Sequence, residues 1–267
     1  MRSRKNQYTI TCREVHDRAA AVVQEHVKIE DHGHKCRSSV LLNVLFFAAS
    51  RISSIFAACR NLADAPSQQA VFDALVGTFP EYDELQKRLN TALVSDLPKA
   101  LRRRPQTMAI DLTLIPYHGE PQNDPDEICV SCCNFAGKWG RHGRRTFVYA
   151  FWGFQPGSTR WVQETYRTRF GIETSYRQMN EARIRTCSRS PLLRLFFFGL
   201  AMILRNIWVW FHLTTLSERQ GRRLILHLER LRFRDLLLDL QRVVEVALGI
   251  TQIVAPQPGL PQPLAKP

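Results

Sequence analysis

Two acidic residues stand in settings where an acid needs a reason. In "YRTRFGIETSYRQMNEARIRT" (Tyr166 to Thr186), Glu173 has Arg169 four residues before it and Arg177 four after, with Arg183, Arg185 and Arg189 following. On a helix, at about 100° per residue, Tyr166, Arg169, Glu173, Arg177 and Asn180 share one face. Such a glutamate can pair with its arginines on a solvated surface. In "TMAIDLTLIPYHGEP", Asp111 falls in the middle of an apolar, strand-like run. A charged group there must be paired, hydrogen-bonded or bound to a metal.

Two further groups of side chains could do chemistry. Cys129, Cys132 and Cys133 precede His142, which superficially suggests zinc, but the spacing lacks a second Cys pair or a spaced His pair. The stretch "GKWGRHGRR" sets Lys138, Arg141, His142, Arg144 and Arg145 around a tryptophan and glycines. Guanidinium groups meet phosphate bidentately and an indole stacks on a base, so this pattern favours nucleic acid over a merely solvated hairpin tip.

The elements that must carry these residues follow from periodicity. "CREVHDRAAAVVQEHV" is amphipathic, "SSVLLNVLFFAASRI" is an apolar helix with Ser38 and Ser39 as cap residues, and two short helices break at Ala65-Pro66. Short helices with a tight turn fit a helix-turn-helix module, and they fit a plain bundle nearly as well. After Arg102-Arg103-Arg104 the pattern turns to strands: 107–115, then "ICVSCCNF" and "RTFVYAFWGF" as a hairpin. Helix is expected again from about 161 to 249, with Glu164 to Ser190 uninterrupted except at Gly171. Ile172, Tyr176 and Met179 would seat that helix on a core. Leu192 to Leu213 is apolar, but Arg194 and Arg205 leave an uncharged run far shorter than the roughly 18–20 residues of a membrane span. It reads as a buried core helix, with no membrane partner. The tail 255–267 is proline-rich and expected to be disordered.

The formal net charge is +13, a surplus that favours a polyanionic partner. Seven irregularly spaced cysteines and a basic N-terminus without an apolar core fit a reduced, cytoplasmic setting.

Taken together, the segments around Glu173 and Asp111 resemble DDE-type insertion-sequence transposases. The glutamate-helix signature of that family is Tyr, two residues, Arg, three residues, Glu, six residues, Lys. Tyr166, Arg169 and Glu173 match it, and Asn180 stands at the lysine position. "MAIDLTLIPYHGEP" is similar to the first-aspartate strand, and the helix after residue 192 is similar to the segment that follows the glutamate helix.

The resemblance implies an α/β, RNase H-like core, here truncated and mostly helical overall, behind an N-terminal helical domain. Residues 1–104 would be the DNA-binding domain, 105–213 the core and 214–254 a C-terminal helical segment. Asp111 and Glu173 would be catalytic and would bind Mg²⁺ or Mn²⁺. Tyr166, Arg169, Arg177, Arg183, Arg185, Lys138, Arg141, Arg144 and Arg145 would hold double-stranded DNA at transposon ends. A prokaryotic, nucleoid-associated protein is implied, and a homodimer is among the assemblies it allows.

The chain departs from the family at one place. Between Glu127 and Ile172 there is no aspartate, and Glu173 follows Asp111 by only 62 positions. That interval is too short for the strands and crossover helix that normally carry the second aspartate. The pattern reads as an internal deletion with its seam near Asp124 to Ile128. A transposase with defective catalysis is therefore expected. A non-catalytic DNA-binding remnant and a basic structural protein are the alternatives.

Overall fold

The computed structural model of the chain describes residues 10–95, 129–135, 145–151, 157–158, 160–161, 164, 170–221 and 223–251, and within 129–135, 145–151 and 170–173 it describes the backbone. The chain divides into two compact units, Met1–Arg103 with Arg177–Pro267, and Arg104–Tyr176. Its described part is mostly helical.

The first unit begins with α1 (Cys12–His26), whose start is fixed by a reciprocal cap. Glu14 N–H donates to Thr11 Oγ1 at 3.2 Å, and Thr11 N–H donates to Glu14 Oε2 at 2.7 Å. Val15, Ala19, Val22 and Val23 form its buried stripe. The helix ends with Lys28 at φ 63°, a left-handed position that a side chain with a Cβ occupies at a cost.

α2 (Ser38–Ser50) has no exposed face after its first turn: every residue from Leu41 to Ser50 is buried. The expected caps Ser38 and Ser39 do not serve. The N-cap is Arg37, without a side-chain bond, and the Ser38 N–H donates instead to Asp31 Oδ1 at 2.6 Å. That bond, from seven residues upstream, holds the Asp31 carboxyl below its ordinary range.

α3 (Ile55–Asn61) and α4 (Gln68–Thr78) are the two short helices expected on either side of Ala65-Pro66. Ser54 and Ser67 cap them, each accepting from a backbone N–H three residues on. α5 (Tyr82–Ser95) is amphipathic, burying Leu85, Leu89 and Ala92.

In the second unit β1 (Cys129–Phe135) and β2 (Arg145–Phe151) pair antiparallel, with Cys129 opposite Phe151 and Phe135 opposite Arg145. The expected hairpin strands are therefore present. Their connection and the expected strand 107–115 lie outside the described residues. The small sheet and mostly helical chain are what the described residues establish about fold class.

The glutamate helix stops earlier than expected. α6 spans Phe170–Glu181, and 183–190 is not helical. Thr186, Ser188 and Ser190 explain the stop, because hydroxyl side chains offer the backbone a local alternative to helical bonding. Ser188 N–H donates to Thr186 Oγ1 at 3.0 Å, Ser190 N–H to Ser188 Oγ at 3.1 Å, and Leu193 N–H to Ser190 Oγ at 3.4 Å. The last of these caps α7 (Pro191–Thr214), with Pro191 at its first turn.

α7 is long and apolar enough to cross a membrane by length and composition. In this structure it is the core helix expected from the sequence, burying Phe196, Phe197, Leu200, Ile203, Leu204 and Ile207 among others. It packs against α1, α4 and α5. Arg205, half-buried, donates from Nε to Gln178 Oε1 at 3.1 Å, and Asn206 donates to Leu93 O at 2.9 Å. These bonds tie α7 to α6 and to the end of α5.

A hairpin not expected from the sequence follows, β3 (Glu218–Gln220) with β4 (Arg223–Ile225), turning at Gly221 with φ 62°. The last helix, α8 (Phe233–Leu248), returns to the beginning of the chain and packs on α2 and α1. Its Arg234 donates to Ser50 O at 2.6 Å, at the end of α2.

Lys28→Gly is expected to raise stability by about 1 kcal/mol, because it relieves the left-handed strain at an exposed position. Chemical denaturation read by circular dichroism checks it. Asp31→Asn is expected to lower stability at neutral pH. Since the folded carboxyl titrates below its unfolded value of about 3.9, the contribution is present above that pH and lost as pH falls through the depressed folded value. Thermal unfolding at pH 7 and at pH 2–3 should show the difference between the two proteins shrinking in acid.

Candidate functional site

Asp111, Tyr166, Arg169, Lys138, Arg141 and Arg144 lie outside the described residues. Arg145 opens β2, where the backbone places it opposite Phe135. Glu173 lies on α6, and Arg177 is exposed one turn later. Arg183 and Arg185 do not continue that helix face, because the helix has ended at Glu181. They lie in the extended connector between α6 and α7.

The connector is held in place by its backbone. Arg185 N–H donates to Ser53 O at 3.0 Å, and Ser54 and Arg185 form a parallel bridge. Ile184 is buried beneath it, at 3% exposure, while Arg183, Arg185 and Arg189 on either side point to solvent. Alternation in an extended segment thus sends the isoleucine inward and its arginine neighbours outward. The backbone that anchors the connector runs from α2 into α3 through Ile52, whose φ of 51° is costly for a β-branched residue. Arg194, one turn into α7, turns back and donates from Nε to Ser188 O at 2.8 Å.

No carboxylate among the described residues forms an ion pair with Arg177, Arg183, Arg185, Arg189 or Arg194. The exposed ion pairs found elsewhere, such as Arg13 with Asp17 and Arg88 with Glu84, show the contrast. Arg183, Arg185 and Arg189 are exposed cations on the connector.

Beside the connector the first unit has an open groove of about 1000 Å³. One wall is the connector with Arg185, Thr186 and Ser188, and the other is the outward side of α4. Phe56 and Val76 face it, 48% and 54% exposed. The Arg60 guanidinium lies over the Phe56 ring, 5.5 Å from its centroid, a cation–aromatic pair. Gln69 donates to Asp73 Oδ1 at 2.8 Å on the same wall.

The sequence reading singled out Arg185 but not Phe56, Phe72, Val76 or Arg60. One signal was present. α4 buries Val71, Ala74 and Leu75 on its core side, so Phe72 and Val76 form a second apolar row beyond what that side needs.

Among the described residues, no group of three or more His, Cys, Asp or Glu could hold a metal ion. Cys129, Cys132 and Cys133 lie on β1, and His142 is outside the described residues. Cys12, Cys36, Cys59 and Cys187 are free thiols. Burial pushes the Cys59 thiol up to about 11 and raises Cys36 as well, leaving both protonated and weakly nucleophilic. Cys187 is exposed and lines the groove.

No protein-family model, curated protein or solved structure matches the chain.

Proposed function

We propose that this chain is a DNA-binding protein of insertion-sequence transposase descent that has lost strand cleavage. The observation that carries the binding half is the set of exposed connector arginines without described acidic partners, on a chain of net charge +13. Charges of this kind displace the counterions condensed on DNA, which makes binding favourable and strongly salt-dependent. In this reading the short capped helices α3 and α4 and the connector arginines make up the DNA-contacting surface. The RNase H-like core belongs to the same proposal and rests on the resemblance around Asp111 and Glu173. A cytoplasmic, nucleoid-associated location follows from that resemblance, as does a homodimer among its allowed assemblies.

The catalytic half rests on the donor set. By resemblance Asp111 and Glu173 would hold Mg²⁺ or Mn²⁺, but the interval between them supplies no second aspartate, and no described side chains complete a cluster. Two carboxylates do not fit the three-carboxylate arrangement that fixes a pair of ions for in-line phosphodiester displacement. No cleavage step is therefore assigned to this chain.

Purified protein is expected to bind double-stranded DNA with an affinity that falls steeply as salt rises. Arg177→Ala and Arg183→Ala should each reduce the slope of log K against log salt by about 0.9. Filter binding across a salt series measures both, and a flat response in the unmodified protein would remove the DNA reading. A labelled duplex incubated with Mg²⁺ or Mn²⁺ is expected to stay intact. Nicking that disappears in Asp111→Ala would overturn the loss of cleavage.

A further inference from the structure

We infer that the groove between α4 and the 185–190 connector binds a short stretch of unpaired nucleic acid, with bases against the α3–α4 wall and phosphates along the connector. The inference rests on the DNA reading above and adds which form of nucleic acid this groove accepts.

Three properties of the groove point to that occupant. First, its exposed apolar surface includes an aromatic ring. Phe56 is 48% exposed and carries the Arg60 guanidinium against its ring, an arrangement on which a base can stack from the groove side. Phe72, two turns before the end of α4, adds a second aromatic ring to the same lining. Second, the charge is on the opposite wall. Arg185 lines the groove with Thr186 and Ser188, and Arg183 and Arg189 flank it on the same exposed connector. Apolar rings on one side and cations with hydroxyls on the other match a single strand, which presents bases along one edge and phosphates along the other.

Third, the groove is concave and its polar groups are suited to base edges. Gln68 and Gln69 line the α4 wall with Asp73, supplying amide donors and acceptors of the kind that read exposed base edges. In a duplex the base faces are already stacked on one another, so Phe56 and Phe72 would find no ring to meet. An acidic peptide would satisfy the arginines but would bring no base to the exposed Phe56 ring.

The experiment uses the full chain with a fluorescently labelled single-stranded 12-mer and the corresponding duplex, in parallel. Phe56→Ala and Val76→Glu are exposed substitutions, the first removing a stacking face and the second placing a negative charge in the groove. Each is expected to weaken single-strand binding about tenfold, and Phe56→Ala to weaken duplex binding several-fold less than that, because a duplex offers no unstacked base to the ring. Thermal melting establishes that each variant is folded. A readout on the unmodified protein makes the test independent of the variants: alkylation of Cys187 by N-ethylmaleimide, followed by mass spectrometry. The single-stranded 12-mer should slow that alkylation, and neither duplex nor a poly-glutamate of equal charge should do so to the same degree.

Equal protection by poly-glutamate would show that the groove responds to charge alone and would overturn the inference. Unchanged single-strand affinity in both variants, with duplex binding still salt-dependent, would overturn it while leaving the DNA reading intact. Failure of both nucleic acids to bind would remove the DNA reading and the inference with it.

Discussion

The first unit is built around a helix that cannot face water. α2 buries every residue from Leu41 to Ser50, so partners must cover all of its sides. α1 supplies one, with His16 Nε2 2.7 Å from Asn43 Oδ1 and its ring edge-on to Phe46. α3 follows directly and packs beside it, and α8 closes the remainder from the far end of the chain. Burying a phenylalanine such as Phe46 or Phe47 is worth about 1.5–3 kcal/mol against exposure. That driving force makes the two ends of the sequence one body, with Cys12 Sγ in α1 only 3.2 Å from Asp239 Oδ1 in α8.

Once α2 and α7 are buried, the path between α6 and α7 has little freedom. The chain must leave α6, reach the N-terminus of α7, and satisfy its backbone groups on the way. Thr186, Ser188 and Ser190 do so in sequence, each hydroxyl accepting from a backbone N–H a few residues on. Arg185 N–H takes Ser53 O, at the strained turn after α2. The consequence for function is direct. Arginines that a continuous helix would distribute around its surface are instead lined along an extended edge, with Ile184 as the internal anchor.

That edge also explains why an open groove persists beside a well-packed core. α4 commits Val71, Ala74, Leu75 and Thr78 inward, and its Phe72 and Val76 are left beside the connector. Apart from Cys187, the connector side chains lining the groove are cationic or small hydroxyls, which prefer water to an apolar wall. The two surfaces therefore stay apart, and the space between them carries aromatic character on one side and positive charge on the other.

Much of this was legible from residue pattern alone. The amphipathic spacing of α1, the largely apolar runs of α2 and α7, the break at Ala65-Pro66 and the strand-like runs of β1 and β2 are local signals, and each of these elements formed where its pattern placed it. The Glu173–Arg177 face was legible for the same reason, because α6 is helical there. Other features required partners distant in sequence. The cap of α2 comes from Asp31, across a loop that the local pattern of Ser38 and Ser39 does not reveal. The end of α6 at Glu181 depends on Ser53, more than a hundred residues earlier, taking the Arg185 N–H. Propensity favoured a continuing helix, and a remote carbonyl with three nearby hydroxyls outweighed it. The groove belongs largely to this second class: Arg185 stood out in the sequence for its charge and Val76 for its place in a second apolar row, but only packing brings them together with Phe56.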